Sequence, residues 1–345
     1  MRVLLVKTSS LGDLIHSFPA ISDAGRALPG IRFDWLVEKS FAEVPAWHPA
    51  VAEVIPIALR RWRRDWRKAW RSGELKAFRA RLRETRYDLV LDAQGLIKSA
   101  LPAFLARGPR AGLDRASARE PLSSFFYQRR YAVAREQHAI ERVRQLFAHA
   151  LGYALPSGPA DYGLHFSHVH DAAVRRLILL HGTTWPSKHW PEAYWAELAH
   201  LAAGNGFEVA LPWGDPDDRL RAERIIKMAG CGELLPRLGL SELARTLARA
   251  TGVVGVDSGL AHLAAAVGTP AITQYGPTRT DLTGAVGPRQ LNLAADFGCA
   301  PCMQRDCDYA GKAGVEPACF EALSPDLVFS RLVGQIEGRS GAQAK

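Results

Sequence analysis

A run of only four apolar residues, Val3-Leu4-Leu5-Val6, passes straight into Lys7-Thr8-Ser9-Ser10-Leu11-Gly12-Asp13. A second apolar set, Leu14-Ile15 and then Phe18 to Ile21, follows at once. The first run reads as a fully buried strand and the second as the inner face of a helix. A strand, a small polar turn and a helix in that order open a parallel α/β sheet, whose ligands bind at the carboxyl ends of the strands. The turn brings a cation, three hydroxyls, a glycine and a carboxylate to that end. Two roles are open to Asp13: capping the helix, in the positive field of its first turn, or chemistry.

The same scheme recurs along the chain. Residues 32–37 alternate as a second strand, and residues 53–58 form a third, which Pro56 restricts to a sheet edge or to a short length. Residues 87–92 form a buried strand that turns through Ala93-Gln94-Gly95-Leu96-Ile97-Lys98-Ser99, so Asp92, Gln94 and Lys98 are expected at the same end of the sheet. A helix over 139–151 with Gly152 as its C-cap closes this half, and the Pro/Gly/Ser stretch 156–159 reads as a linker. In the second half, strand 176–180 leads into His181-Gly182-Thr183-Thr184 and Trp185-Pro186-Ser187-Lys188-His189-Trp190-Pro191, and a helix follows near Glu192. Strand 207–211 precedes Pro212-Trp213-Gly214-Asp215-Pro216-Asp217-Asp218. Strand 252–256 turns through Asp257-Ser258-Gly259 into a helix over 260–267, whose first amides form a ready anion site. Strand 271–275 ends in Gly276-Pro277-Thr278. At 345 residues the chain exceeds one simple core. Two sequential β/α domains facing each other across a cleft are expected, over 1–165 and 166–325.

Charge separates the halves. Residues 1–165 hold 27 Lys and Arg against 16 Asp and Glu, and the remainder 17 against 19, so the basic excess belongs to the first half. That half is expected to meet something acidic. Its most unusual segment, residues 60–71, is basic at seven of twelve positions, with Trp62, Trp66 and Trp70 every fourth residue. On one helix these make a tryptophan stripe flanked by cations. Such a stripe packs onto the sheet, binds nucleic acid through phosphates and stacking, or faces a membrane surface and an anionic lipid-linked substrate; the last is favoured, and no nucleic-acid motif accompanies the segment. With 48% apolar and 23% charged residues, no spanning run and no leader pattern at the start, a soluble cytoplasmic enzyme is expected. All five cysteines lie in the second half, and their odd number argues against a disulfide scaffold. Neither a P-loop nor a G-x-G-x-x-G fingerprint is present, which weakens kinase and dehydrogenase readings. Phosphate and hydroxyl-binding groups in one half, with a carboxylate and a basic surface in the other, suit transfer of a sugar from a nucleotide donor.

Lys7 to Asp13 with Pro19-Ala20, Asp92-Ala93-Gln94-Gly95, Lys188-His189-Trp190-Pro191, Pro212-Trp213-Gly214, Val256-Asp257-Ser258-Gly259-Leu260-Ala261-His262-Leu263 and Tyr275-Gly276-Pro277-Thr278 together resemble glycosyltransferase family 9, the ADP-heptose:lipopolysaccharide heptosyltransferases. The basic tryptophan segment and Ala118-Arg119-Glu120-Pro121 resemble the branch that adds the first heptose. The resemblance implies a GT-B fold of two Rossmann-like domains, with a C-terminal helix and tail over 326–345 returning to the first. It implies inverting transfer of heptose from ADP-heptose to the first Kdo of Kdo2-lipid A, at the cytoplasmic face of the inner membrane, with no cofactor required. In that reading Asp13 is the general base and Lys188 stabilises departing ADP. Thr183, Thr184, Ser258 and Gly259 contact phosphate, Asp257 the heptose hydroxyls, and His262 lies beside the site. Asp218 stands where the family pattern has Glu, one methylene longer. Ser10, Gly12, Arg60, Arg61, Arg63, Arg64, Lys98 and Arg119 form the acceptor side. Cys299, Cys302, Cys307 and Cys319 resemble a segment of other family members; a structural zinc is the alternative to a reduced surface loop. The competing functions are the successor heptosyltransferase, another GT-B nucleotide-sugar transferase, or a non-enzymatic basic protein binding membrane or nucleic acid.

Overall fold

The computed structural model describes residues 1–166 and 174–338. The chain divides into two compact units, Met1–Leu164 and His165–Lys345. The first holds strands β1 (Arg2–Val6), β2 (Arg32–Glu38), β3 (Val51–Ile57), β4 (Leu89–Asp92), β5 (Arg110–Leu113) and β6 (Arg129–Tyr131) in one parallel sheet ordered β3-β2-β1-β4-β5-β6. Its helices are α1 (Leu11–Ile15), α2 (Phe18–Ala27), α3 (Leu59–Arg64), α4 (Trp66–Arg71), α5 (Glu74–Glu84), α6 (Ile97–Leu105) and α7 (Ala139–Leu151). Val3 to Val6 and Leu89 to Leu91 are essentially inaccessible to solvent, as parallel strands covered on both faces must be. Pro56 sits in β3, an edge strand, where its missing N–H costs no ladder bond.

The second unit repeats the order with β7 (Arg176–Leu180), β8 (Glu208–Leu211), β9 (Glu233–Leu234), β10 (Gly252–Val256), β11 (Ala271–Tyr275) and β12 (Gln290–Ala294) arranged β12-β11-β10-β7-β8-β9. Its helices are α8 (Glu192–Gly204), α9 (Pro216–Ala229), α10 (Leu240–Arg249), α11 (Gly259–Ala266), α12 (Thr280–Thr283) and α13 (Pro325–Ile336). Both sheets therefore have the doubly wound Rossmann order, whose ligand position lies where the order reverses. Those switch points are the carboxyl ends of β1 and β4 in one unit and of β7 and β10 in the other.

The helix after Pro325 packs against α8, β10 and β11 of its own unit. Val328 and Leu332 are fully buried there. Gly252 makes room for the contact, since a Cβ on it would meet Ile336 at 3.0 Å. The tail expected beyond it, from residue 339, lies outside the described residues. One expectation needs correction, because the tryptophan stripe is broken. Asp65 ends α3 and caps α4, accepting the Lys68 N–H at 2.9 Å, and Gly73 then turns the chain with φ +76° into α5. The break rotates Trp62 inward, where it stacks edge-on against Phe78 and donates to Glu74 at 2.8 Å. Trp66 and Trp70 stay 60% and 68% exposed.

Candidate active site

At the end of β1 the opening turn is bound to the turn after β4. Gln94 Oε1 accepts the Thr8 N–H at 2.7 Å and the Thr8 hydroxyl at 3.0 Å, while its amide nitrogen donates to Ser9 O. Lys7 Nζ donates to Ala93 O at 2.9 Å, and Lys98 Nζ, from the first turn of α6, donates to Ser9 Oγ at 3.0 Å. Asp92, expected at the open end of the sheet, is instead fully buried. It accepts the Gln94 N–H at 2.8 Å and the Tyr127 hydroxyl at 2.7 Å, and so shapes the turn from below.

Asp13 is the third residue of α1, with Ser10 as its N-cap. Asp13 Oδ2 accepts the Ser10 N–H at 2.7 Å and its hydroxyl at 2.9 Å. Oδ1 faces Lys7 Nζ at 3.5 Å, and the side chain keeps 43% of its exposure. Burial pushes this carboxyl up, but the Lys7 charge and the two Ser10 donors outweigh it and hold it below the ordinary aspartate value. Asp13 therefore serves its helix and stays ionised at neutral pH. With Lys7 and Gln94 it lines a cavity of about 180 Å³ whose other walls include Leu113, Arg119 and Arg142.

The basic residues separate into two groups. Lys98 is desolvated, which lowers its pKa, and it feels the charges of Arg60, Asp13, Glu38 and Arg119, so these five groups share one neighbourhood. Arg60 also lies over the Phe41 ring at 5.5 Å. Arg61 is committed to Glu74 at 2.5 Å, and Arg64 lines a small surface hollow with Arg61, Asp65 and Lys68. Arg63 is exposed. Gly12 is buried within α1, and Ser10 is exposed at its start.

In the second unit the loop after β7 meets the turn after β10. Asp257, 7% exposed, accepts Lys188 Nζ at 2.6 Å and the Thr278 hydroxyl at 2.7 Å on the same oxygen. His262 Nε2 stands 3.8 Å from its other oxygen, and Thr183 Oγ1 donates to its backbone carbonyl at 3.3 Å. Thr278 belongs to the turn after β11, so its partnership with Asp257 joins two turns 21 residues apart, and sequence reasoning did not assign it a role. Lys188 also lies 4.6 Å from the centroid of the Trp185 ring. Ser258 is the N-cap of α11, and its hydroxyl is buried without a hydrogen-bond partner among the described residues. The amides of Gly259 and Leu260 open that helix, where backbone donors have no intrahelical acceptor.

Asp218 reaches the same end from α9. Asp215 caps that helix, accepting the N–H of Asp217 and Asp218 at 3.0 and 2.9 Å. Asp218 Oδ2 takes the Gly214 N–H at 3.3 Å, and burial raises its pKa. Its carboxylate lies over Gly182, where a Cβ would come within 2.7 Å of Oδ1, so the glycine is what lets the two approach. Thr184 is exposed beside it. Burial and the Arg221 charge push His181 down to about 4, so it sits neutral with Nε2 at 3.1 Å from Pro212 O.

The four clustered cysteines are free thiols, and among the described residues no three His, Cys, Asp or Glu side chains are grouped to hold a metal. Burial, with the neighbouring Cys299, Cys307 and Cys302, pushes the Cys319 thiol up to about 12. Their segment supports the site. Ser187 donates from Oγ to Gln304 O at 2.6 Å and from N to Arg305 O at 3.2 Å, and Met303 N donates to Pro277 O at 2.8 Å.

Two Rossmann-ordered units, one ending in a carboxylate among cations and the other in open helix amides with a lysine, make a group-transfer enzyme with an anionic leaving group the natural class. The family model for glycosyltransferase family 9 (heptosyltransferase) matches residues 75–313. The Pseudomonas aeruginosa lipopolysaccharide heptosyltransferase 1 is 52% identical over 97% of this chain and 98% of its own length. The structure of the E. coli heptosyltransferase WaaC with ADP aligns with a TM-score of 0.81 at 49% identity, covering 86% of this chain and 93% of that one. The same enzyme with ADP-2-deoxy-2-fluoro heptose gives 0.79 at 41% identity over 99% and 100%. This chain belongs to glycosyltransferase family 9, the heptosyltransferases, and has their GT-B fold.

Proposed function

We propose that this heptosyltransferase moves heptose from ADP-heptose onto the first Kdo of Kdo2-lipid A, an inner-core step of lipopolysaccharide assembly, with inversion at the anomeric carbon. The relatives' names and the donor analogue bound to WaaC support the donor and the pathway step. One observation carries the mechanism: Asp13 is ionised, half-exposed and held on a single oxygen by Ser10 at the wall of a cavity lined by Arg119. A carboxylate so placed takes the proton of the acceptor hydroxyl as that oxygen bonds to the anomeric carbon. On the other side of that carbon the bond to the diphosphate breaks, and ADP leaves with the electron pair. Lys188, the Ser258 hydroxyl and the first amides of α11 stabilise the charge that develops on it. Thr183, Thr184, Asp218, Asp257 and His262 line the donor side, with Asp257 acting through the hold it keeps on Lys188 and Thr278. Arg60, Lys98 and Arg119 face the anionic acceptor, joined by Ser10, Gly12, Arg61, Arg63 and Arg64 along the opening turn and α3.

A lipid-anchored acceptor makes the working location the cytoplasmic face of the inner membrane, and exposed Trp66 and Trp70 among arginines suit a peripheral contact there. No helix among the described residues is long and apolar enough to cross a membrane. Incubation with ADP-heptose and Kdo2-lipid A is expected to add one heptose by mass spectrometry. An acceptor already carrying that heptose is expected to stay unchanged; addition only to this second acceptor would replace the reading with the successor activity.

A further inference from the structure

Apart from Met1, Leu155 and the tryptophans of α4, the large apolar side chains exposed on the described residues of the first unit lie on two adjoining segments. Leu101 and Phe104, three residues apart on α6, are 49% and 52% exposed. Leu122 and Phe125, three apart on the 3-10 turn Pro121–Phe126, are 59% and 62% exposed. The two segments pack on each other. Phe104 meets Phe126 edge-on with centroids 5.9 Å apart, and Glu120 accepts the Ile97 N–H at 2.7 Å. Scattered exposed apolar residues are ordinary, but a joined set of this size marks an interaction surface.

Its rim indicates the partner. Arg110 lies over the Phe104 ring at 5.0 Å and Arg130 over Phe125 at 5.9 Å. Residues 97–130 carry seven cations and only two carboxylates, Asp114 and Glu120. Both acids are engaged locally, by Ser117 N–H and Ile97 N–H. Phenylalanine and leucine flanked by Arg110 and Arg130 match an apolar layer covered by anionic headgroups. The same helix reaches the acceptor end of the sheet. Lys98 bonds Ser9 from the first turn of α6, and Phe104 follows six residues later, about 9 Å along the axis.

We propose that Leu101, Phe104, Leu122 and Phe125 insert into the surface of an anionic phospholipid bilayer, with Arg110 and Arg130 on its phosphates. α6 then spans from the membrane to the opening turn, which keeps a lipid-anchored sugar within reach of Asp13 while its acyl chains remain in the bilayer. The inference rests on the lipid-anchored acceptor proposed above, and it adds a membrane-facing surface separate from α4.

The full chain is tested by co-sedimentation with vesicles of phosphatidylethanolamine and phosphatidylglycerol, with phosphatidylcholine vesicles as the neutral control. Wild type is expected to sediment with the anionic vesicles and to be released by salt. The double variant Leu122→Ser/Phe125→Ser is expected to lose about tenfold in partitioning. It should keep its turnover on a deacylated, water-soluble acceptor and lose turnover on the vesicle-embedded one. Leu101→Ser, on the other segment, is expected to act in the same direction with a smaller loss, which separates membrane contact from damage to the turn. Unchanged partitioning in both variants overturns the proposal. So does a variant that only converts a dimer to a monomer, since a second copy would then be what covers the patch. Failure of wild type on the deacylated acceptor overturns the proposed reaction instead, and vesicle partitioning still judges the patch.

Discussion

Each unit presents one aspartate with a lysine at its switch point, and the two pairs are built for different work. Asp257 is 7% exposed and gives one oxygen to both Lys188 and Thr278 at under 2.8 Å. Asp13 is 43% exposed, has Lys7 at 3.5 Å and is bonded directly only by Ser10. An enclosed carboxylate that gives one oxygen to both Lys188 and Thr278 fits the role of holding a cation in place. A half-open carboxylate with its counter-charge at 3.5 Å is ionised and reachable, which is what a base requires. The difference lies in partners and exposure, not in residue type.

Asp13→Asn gives the strongest test of that contrast. Turnover is expected to fall about a thousandfold, within the range that a positioned base supplies, while calorimetry should find ADP bound as tightly as before. Retention of most turnover would make Asp13 a helix residue only. Lys188→Ala comes next, with an expected loss of about a hundredfold in kcat from the leaving-group side. Asp257→Asn should cost less than either, about tenfold, and act mainly on donor KM, because it loosens Lys188 without removing it. A fall in kcat as deep as that of Asp13→Asn, with donor KM unchanged, would erase the distinction between the two aspartates.

The inner strands and their loops were readable because strands buried on both faces are continuous apolar runs. Residues 176–180, 252–256 and 271–275 match β7, β10 and β11 to the residue. The outer strands carry no such signal. Arg110-Ala111-Gly112-Leu113 in β5 and Arg129-Arg130-Tyr131 in β6 are short, cationic and partly exposed, and only the sheet they join makes them strands. The switch-point residues were legible in the same way, by following the apolar runs to their ends. Their partnerships were not. Thr278 with Asp257, Gln94 with Thr8 and Asp218 over Gly182 are contacts between different turns, which spacing along the chain does not encode. The tryptophan repeat misled because Asp65 caps a new helix in its middle, a local hydrogen bond that overrides a four-residue periodicity.

Gly182→Ala tests the donor side through shape alone. The added methyl would sit 2.7 Å from Asp218 Oδ1, so the carboxylate must swing away or the loop after β7 must shift. Donor KM is expected to rise about fivefold, with kcat changing little, as for an interaction made equally in ground and transition states. Asp218→Ala is expected to restore room, so the double variant should bind donor no worse than Asp218→Ala alone. A larger penalty in the double variant would place the clash elsewhere.

The smallest effect expected is a displaced pH profile. The folded-state pKa of Asp13 is lowered, so kcat/KM is expected to hold as the pH falls below neutrality and to drop only below the ordinary aspartate value of 3.8, as the base becomes protonated. Lys7→Met removes the main charge opposing burial. Burial then acts against only the two Ser10 donors, the Asp13 carboxyl titrates at a higher pH, and the acid limb moves up with it. The corresponding change in the second unit, Thr278→Val, leaves Lys188 on Asp257 and should not move the acid limb. A pH profile of kcat/KM for the three proteins decides the matter: a shifted limb in Lys7→Met alone assigns the acid limb to the Asp13 pair. A limb that moves with Thr278→Val as well would assign it to the donor side, and the two aspartates would then have exchanged roles.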